Sequence, residues 1–347
     1  MDRETIGIGE SAGMFCMAGE SAAFARDLKK ENGIRDRDGL TEEEFLASYK
    51  PGDYPRPSVA ADMVIFTVMD REEENYRKLP EKELRLLLIK RGEHPFLGCW
   101  ALPGGFVRPT ETTEQAAERE LREETGVEDV YLEQLYTFSQ PGRDPRMWVM
   151  SCSYMALVDS SQVKVQAGDD ADQAAWFKVQ CQMAEKDNGW ETWELFLSHE
   201  GIRLRTVLEK KTGESFAGSR IVMCEGEKCG ETGKREDDEG KESKGHVDVI
   251  EDRRWPDSLG GLAFDHGRII AYGLERLRGK LQYTDLALHL MPEHFTLTQL
   301  QQVYEVILDR EMPAAAFRRK AVPLVEETPN YTENKGHRPS RLYRKKD

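Results

Sequence analysis

Apolar and polar positions change their spacing several times along the chain, and each spacing predicts a different element. Residues 58–68 are mostly β-branched and apolar, and a charged segment separates them from a second apolar run at 84–89. These two runs predict neighbouring strands joined by a solvated loop. Further strands are predicted at 131–138, 147–158, 174–177, 193–197 and 202–208. Strands on both sides of a single strong helical pattern predict an α+β core.

That helical pattern lies between Thr112 and Gly126. Thr112 is a suitable N-cap, and Gln115 three residues later completes a capping box. The residues that follow are nearly all strong helix formers, and Gly126 stands where a left-handed residue would end the helix. We therefore expect a helix over residues 113–125.

A second helical region fills the C-terminal part of the chain. Asp265 is predicted to cap one helix, Thr296 with Gln299 to cap another, and Pro313 to open a third. Two short segments, 324–327 and 341–343, are predicted to form the strands of a closing hairpin. Helices followed by a hairpin suggest a winged helix.

Three carboxylates on the first helix provide the candidate chemistry. Glu120, Glu123 and Glu124 are three and four residues apart, so they share one side of the helix. Like charges at this spacing repel one another, and one neighbouring arginine, Arg119, cannot neutralise three of them. A hard, oxygen-seeking cation would, and Mg²⁺ binds through a few carboxylates while retaining water and phosphate ligands.

This stretch resembles the Nudix box, the signature of hydrolases that cleave nucleoside diphosphates linked to another group. Its fixed positions are all filled, by Gly105, Glu111, Arg119, Glu120, Leu121, Glu123, Glu124, Gly126 and Val127. The resemblance covers roughly residues 58–180 and implies a Nudix α/β/α sandwich with a mixed sheet. It also implies Mg²⁺, with Mn²⁺ as an alternative, held by the Gly104 carbonyl and the three glutamates. Glu120 or Glu124 would then be the catalytic base, Arg119 would orient Glu123, and Glu111 would be structural.

Arginines near the box are candidates for binding a diphosphate, whose charge suits guanidinium groups. Arg91 follows the second strand, and Arg143 and Arg146 lie in a loop resembling that of the ADP-ribose-directed branch of the family. Gly105 would let the backbone approach the ligand closely. A cluster of aspartates, Asp169, Asp170 and Asp172, is a weaker candidate for a further acid, because such clusters are usually only turns.

Charge is distributed unevenly along the 347 residues. The net charge is −15, yet residues 310–346 contain 10 Lys and Arg against 4 Asp and Glu. This end is the plausible polyanion-binding surface. Its candidate DNA contacts are Arg318, Arg319 and Lys320 on the last helix and Lys335, Arg338, Arg341 and Arg344 on the hairpin. From the residues alone, a dimerisation module or helical cap explains this segment equally well.

The order of the two parts resembles NrtR-type regulators of NAD metabolism, in which a Nudix domain precedes a winged helix. The shared stretches are Leu262–His266 and Phe317–Lys320. The expected division is an N-terminal segment (1–40), a Nudix domain with added strands (41–223), an acidic linker or insertion (224–258) and a winged-helix domain (259–347). A homodimer is also expected.

Two functions remain open. In the first, the protein hydrolyses an ADP-ribose-like substrate and also binds duplex DNA. In the second, the Nudix domain only senses ADP-ribose or a related NAD metabolite and so controls DNA binding. We favour hydrolysis because the box is complete. The sequence shows no signal peptide and no apolar run long enough to span a membrane, so we expect a cytoplasmic protein.

Overall fold

The structure is a computed structural model that describes residues 34–71, 80–128, 130–161, 171–228, 261–332 and 339–346. The chain divides into two compact units, Met1–Arg56 and Pro57–Asp347. In the described part of the first unit, helix α1 (Glu42–Ser48) begins with a capping box between Thr41 and Glu44. A single 3₁₀ turn follows it at Pro51–Asp53.

The second unit is built on one large mixed sheet. Its strands are β1 (Ser58–Asp70), β2 (Lys82–Arg91), β3 (Trp100–Ala101), β4 (Gly104–Phe106), β5 (Tyr131–Phe138), β6 (Val149–Leu157), β7 (Ala171–Asp187), β8 (Trp190–His199), β9 (Ile202–Lys211) and β10 (Arg220–Lys228). They lie in the order β10-β9-β8-β7-β2-β1-β6-β5, with β3 beside β2 and β4 beside β1. The β1–β6 pair is parallel, whereas the other named pairs of this sheet are antiparallel.

Strand β1 is buried on both faces of the sheet, because its successive side chains point in opposite directions. Met63 and Ile65 belong to one apolar cluster, and Val64 and Phe66 belong to the other. All four are fully buried. A strand with both faces covered reads as a continuous apolar run, which is why the sequence of β1 shows little alternation.

Helix α2 (Thr113–Thr125) covers the first face. Thr112 and Gln115 form the predicted capping box, and Gly126 ends the helix in the left-handed region at φ 68°. Ala116, Ala117 and Leu121 are buried against β1, β2 and β6. Both predicted ends of this helix are therefore confirmed.

Helix α3 (His266–Lys280) covers the opposite face. A Cβ placed on Gly273 would lie 3.0 Å from a methyl carbon of Val64, so this glycine allows the helix to approach the sheet closely. The arrangement of helix, sheet and helix confirms the predicted α/β/α sandwich. Asp265 is the N-cap residue of α3, as predicted, but its side chain makes no capping hydrogen bond and instead pairs with arginines.

The C-terminal helices and hairpin follow α3. Helices α4 (Leu297–Leu308) and α5 (Ala314–Ala321) are separated by a short turn, and strands β11 (Val325–Tyr331) and β12 (Arg341–Lys345) pair as the predicted hairpin. Short 3₁₀ turns lie at Phe216–Gly218, Leu286–Leu290 and Val322–Leu324. Thr296 and Gln299 cap α4 as expected, whereas Pro313 is the residue before α5 rather than its first residue.

One apolar cluster joins the sheet to these helices. It runs from Val64 and Phe66 of β1 through Ile269 and Leu277 of α3 to Phe317 of α5. The sheet and the C-terminal helices therefore share a core instead of folding around separate ones. The four-part division of the chain stays a proposal, and most of the predicted linker lies outside the described residues.

Replacing Ile269, which is fully buried in this shared core, tests that continuity. Ile269→Ala should lower the free energy of unfolding by about 2 to 5 kcal/mol. Tryptophan fluorescence, which reports mainly on the sheet, and helical circular dichroism should shift together in urea. The exposed Val322→Ala is the control and should change stability by less than about 0.5 kcal/mol. Separate transitions for the two signals would contradict a shared core.

Candidate functional site

The three glutamates predicted on α2 differ in burial. Glu120 and Glu124 are buried, whereas the side chain of Glu123 is about half exposed. The buried pair lies on the side of α2 that also carries the core residues Ala116 and Ala117. Acidic side chains are rarely buried unless something compensates their charge. This placement is not that of a solvated charge run, and we keep Glu120 and Glu124 as candidate site residues.

Arg119 holds this acidic surface together. Its guanidinium donates to both carboxylate oxygens of Glu111 at 3.2 and 2.9 Å, to Glu120 at 2.7 Å and to Glu123 at 3.3 Å. Hydrogen bonds from Arg119 and from the backbone of Arg108 lower the pKa of Glu111 to about 2. Glu111 thus stays ionised and ties the loop before α2 to the helix.

The glycine loop lies directly against Glu120. A Cβ on Gly105 would come within 2.2 Å of a Glu120 carboxylate oxygen, and one on Gly104 would come within 2.3 Å of the Ala61 carbonyl oxygen. Neither position can accept a side chain without moving its neighbours. Burial raises the pKa of Glu120, and the charge of Glu123 adds to this, although Arg119 acts in the opposite direction.

A divalent cation fits the chemistry of these donors. The buried carboxylates of Glu120, which lies beside the Gly105 backbone, and Glu124 supply hard oxygen atoms, and Mg²⁺ needs only one or two protein carboxylates when phosphates and water complete its shell. Within the described ranges, no group of three or more His, Cys, Asp or Glu side chains is arranged to hold a metal by itself.

Arg91 and Arg146 lie beside two aromatic rings near this loop. Arg146 is 5.4 Å from the ring centre of Phe106 and 5.9 Å from that of Phe264, and Arg91 is 5.2 Å from Phe264. Asp144 accepts two hydrogen bonds from the Arg146 guanidinium, at 3.1 and 2.8 Å, and one from its backbone N–H at 2.9 Å. The exposed ring of Phe106 and the partly exposed side chain of Arg146 leave this cluster open to a ligand.

Arg143 is placed differently from the other predicted ligand-binding arginines. It is buried, and its guanidinium pairs with Asp265 at 2.7 Å and with Asp62 at 3.4 Å. Ser151 donates a further hydrogen bond to Asp62 at 2.5 Å. Arg143 thus joins β1 to the start of α3, and we assign it a positioning role in place of direct phosphate contact.

Sequence reasoning missed the acidic partners of Arg143 as well as Phe106 and Phe264. Asp62 gave one usable signal, because it is a lone carboxylate inside the apolar run of β1. The aspartates Asp169 and Asp170 lie outside the described residues, as does the side chain of Asp172.

The predicted DNA-contacting residues on α5 separate into two kinds. Arg318 and Arg319 are exposed, and neither forms an ion pair with another residue in the described part of the chain. Lys320 instead donates to the backbone carbonyls of Leu281 and Gln282 at 2.7 and 3.1 Å. We therefore give Lys320 a structural role and keep the two arginines as the basic surface of α5.

The described part of the hairpin supplies less free positive charge than its composition suggests. Arg341 pairs with Glu327 and donates to the Tyr331 hydroxyl at 2.7 Å. Arg344 pairs with Glu326 at 2.8 Å. Lys335 and Arg338 lie outside the described residues.

Comparison with known proteins shows which family has this combination of domains. A NUDIX domain model matches residues 79–194, and a model of the NrtR DNA-binding winged helix domain matches residues 287–344. A protein of Acinetobacter baylyi described as the ADPR responsive transcriptional repressor NtrR is 30% identical over 308 residues, which is 88% of this chain and 88% of that protein. The chain belongs to the NrtR family.

Two further similarities bear on the two halves of this NrtR-family chain. An ADP-ribose pyrophosphatase of Methanocaldococcus jannaschii is 38% identical over 165 residues, which is 48% of this chain and 83% of that protein. The crystal structure of Shewanella oneidensis NrtR complexed with a 27mer DNA is 26% identical, with a TM-score of 0.51, and covers 83% of this chain and 93% of that one. Among the described residues, no helix is long and apolar enough to cross a membrane.

Asp265→Asn tests the buried ion pairs at the start of α3. Burial alone would raise the pKa of Asp265, but the charges of Arg143 and Arg268 outweigh it and lower that pKa. The carboxylate therefore stabilises the fold fully above its unfolded-state pKa of about 3.9 and loses this effect as pH falls through the lower folded-state pKa. Asp265→Asn should cost about 3 to 5 kcal/mol at pH 7.

The difference between Asp265→Asn and the wild type should shrink as the pH falls below about 4. Urea unfolding at pH 7 and at pH 3 measures both values. Asp38→Asn, on an exposed residue of the first unit, is the matched control. An equal difference at both pH values would contradict an ionised Asp265 in the folded state.

Proposed function

We propose that this protein hydrolyses ADP-ribose or a closely related nucleoside diphosphate sugar with the help of Mg²⁺, and that it also binds duplex DNA. The observation that carries the first half is the complete Nudix box, whose helix α2 buries Glu120 and Glu124 and places Glu120 directly against Gly105. Similarity to an ADP-ribose pyrophosphatase over 165 residues supports the choice of substrate class.

In this proposal Glu120, Glu123, Glu124 and the Gly104 carbonyl would hold Mg²⁺, and Mn²⁺ could take its place. The cation would neutralise diphosphate charge and ease deprotonation of the attacking water. Glu120 or Glu124 accepts the proton of that water, and breaking the P–O–P linkage releases a nucleoside monophosphate and a sugar phosphate. Arg119 keeps Glu120 and Glu123 in place through hydrogen bonds of 2.7 and 3.3 Å.

The arginine and aromatic cluster near the loop would bind the ligand. Arg146 and Arg91 can contact the diphosphate, since guanidinium groups pair well with phosphate oxygens. The exposed ring of Phe106 offers a flat surface beside them. Gly105 would let the loop backbone approach the ligand because no side chain stands in the way.

DNA binding is proposed through α5 and the hairpin. Arg318 and Arg319 would contact phosphates or base edges from the exposed side of α5. Lys335, Arg338 and Arg341 would add charge from the hairpin, and a homodimer would present two such surfaces. The match to the NrtR DNA-binding winged helix model supports this half.

A second function is favoured by one observation, which is the similarity to an ADPR responsive repressor over 88% of both proteins. In that case the Nudix site binds ADP-ribose mainly as a signal, and hydrolysis is slow or absent. Binding can alter DNA affinity only if the ligand prefers one of the two DNA-binding states.

Glu124→Gln and Glu123→Gln test the hydrolase function. Each should reduce Mg²⁺-dependent release of AMP from ADP-ribose by at least about a hundredfold, because the variant loses a carboxylate for the cation or the proton. Circular dichroism should show an unchanged fold. Glu118→Gln, on the exposed side of the same helix, is the control and should keep wild-type turnover.

Full turnover in both variants would refute the assignment of the acidic residues. If the wild type binds ADP-ribose saturably without releasing AMP, the sensor function replaces the hydrolase. If it neither binds nor hydrolyses ADP-ribose, both functions lose their proposed ligand.

Arg318→Glu combined with Arg319→Glu tests DNA binding. Fluorescence anisotropy with a mixed-sequence duplex should show loss of binding at low salt, because two phosphate-facing charges are reversed. The control Arg122→Glu makes the same type of charge reversal on the exposed side of α2 and should retain binding. Unchanged salt-sensitive binding by the double variant would place the DNA surface elsewhere.

A further inference from the structure

Helix α3 is attached at its first turn to the residues behind the glycine loop. Asp265, directly before the helix, pairs with Arg143 at 2.7 Å, and Arg143 also reaches Asp62 at 3.4 Å. His266, the first helical residue, accepts a hydrogen bond from the backbone N–H of Leu102 at 2.9 Å. All of these groups are buried and hydrogen-bonded or ion-paired to one another, so a displacement of one displaces the others.

Asp62 and Leu102 are the residues that position the glycine loop. Asp62 pairs with Gly104 across β1 and β4. A Cβ on Gly104 would lie 2.9 Å from the Cα of Asp62 and 3.0 Å from its carboxylate, so no free space separates them. Leu102 lies two residues before Gly104. A displacement of the glycine loop therefore displaces the first turn of α3.

The other end of α3 is attached to both helices of the winged-helix region. Arg278 donates from its Nε to the carbonyl of Ile307 in α4 at 2.8 Å. Lys320 of α5 donates to the carbonyls of Leu281 and Gln282, which directly follow α3, at 2.7 and 3.1 Å. The Lys320 ammonium also lies 4.8 Å from the ring centre of Tyr304 in α4. These contacts connect the C-terminal end of α3 to both α4 and α5.

The body of α3 offers little room to absorb such a displacement by bending. Gly273 brings the helix backbone against Val64, and Arg276 and Lys280 pair with Glu133 of β5 at 3.4 and 2.6 Å. Leu274 and Leu277 are buried in the shared core. Close-packed cores transmit strain because they resist compression. The helix can shift or rotate as a body, and its two ends then shift together.

We propose that α3 is the mechanical link through which occupation of the Nudix site changes the arrangement of α4 and α5. This inference rests on the proposed function, because it takes a diphosphate ligand at the glycine loop as the signal. In this link a displacement of the glycine loop moves Asp62 and Leu102, and with them the first turn of α3. The attachments made by Arg278 and Lys320 then transmit the movement of α3 to α4 and α5. Arg143 is a positioning residue at the first turn, because it joins Asp62 to Asp265.

The link is tested first without any ligand, by amide hydrogen exchange on the full chain. Lys320→Met removes the attachment of α5 but keeps an apolar stem over Tyr304. Amides of residues 102–107 should exchange at least about threefold faster in this variant. Amides of β9 (Ile202–Lys211), which report global opening, should be unchanged. Lys211→Met, on an exposed lysine at the end of β9, is the matched control.

Arg278→Met removes the attachment to α4, together with a 3.3 Å hydrogen bond to the Cys181 carbonyl of β7, and should give the same change at residues 102–107. It keeps the test decisive if Lys320→Met does not fold. Faster exchange confined to α4 and α5 in both variants, with residues 102–107 unaffected, would overturn the proposed link.

The second test adds ADP-ribose with divalent cations chelated, so that the ligand is not consumed. In the wild type, the ligand should change exchange at residues 297–321 as well as at 102–107. In Lys320→Met the loop should still respond while α5 (Ala314–Ala321) does not, because only the attachment of α5 has been removed. Binding to the wild type without any response at 297–321 would overturn the link. Failure of ADP-ribose to bind would instead count against the proposed function, and the ligand-free test would still decide the link.

Discussion

Burial of β1 on both faces is the constraint on which the rest of the second unit depends. A strand with apolar side chains on both faces needs a covering layer on each side, since leaving those side chains exposed to water is unfavourable. Helix α2 supplies one layer and α3 the other. The first layer carries the acidic residues of the Nudix box, and the second leads directly into the winged-helix region. The two proposed activities are therefore built on opposite faces of the same strand.

The charges buried near this strand explain how the site keeps its shape. Arg119 compensates Glu111 and Glu120 on one side, and Arg143 and Arg268 compensate Asp265 on the other. Breaking a buried pair costs more than the pair contributes, because the remaining charge is left without a partner. Such networks favour one arrangement of their residues, which suits a loop that must present its backbone to a ligand.

Much of this architecture could be predicted from local sequence signals. The ends of α2 follow from Thr112, Gln115 and Gly126, and β1 follows from its apolar run. Roles that depend on residues distant in sequence could not be predicted in this way. Arg143 looked like a phosphate ligand until the structure brought Asp62 and Asp265 beside it, 81 and 122 residues away. Lys320 looked like a DNA contact because its sequence neighbours are arginines, yet it donates to carbonyls that follow α3.

The most direct test of the central claim is a measurement of the products formed from ADP-ribose by the purified full-length chain, with Mg²⁺ and with the cation chelated. The account predicts AMP and ribose phosphate in equal amounts, formed only when Mg²⁺ is present. Absence of both products with Mg²⁺ present would contradict it, whether or not ADP-ribose binds.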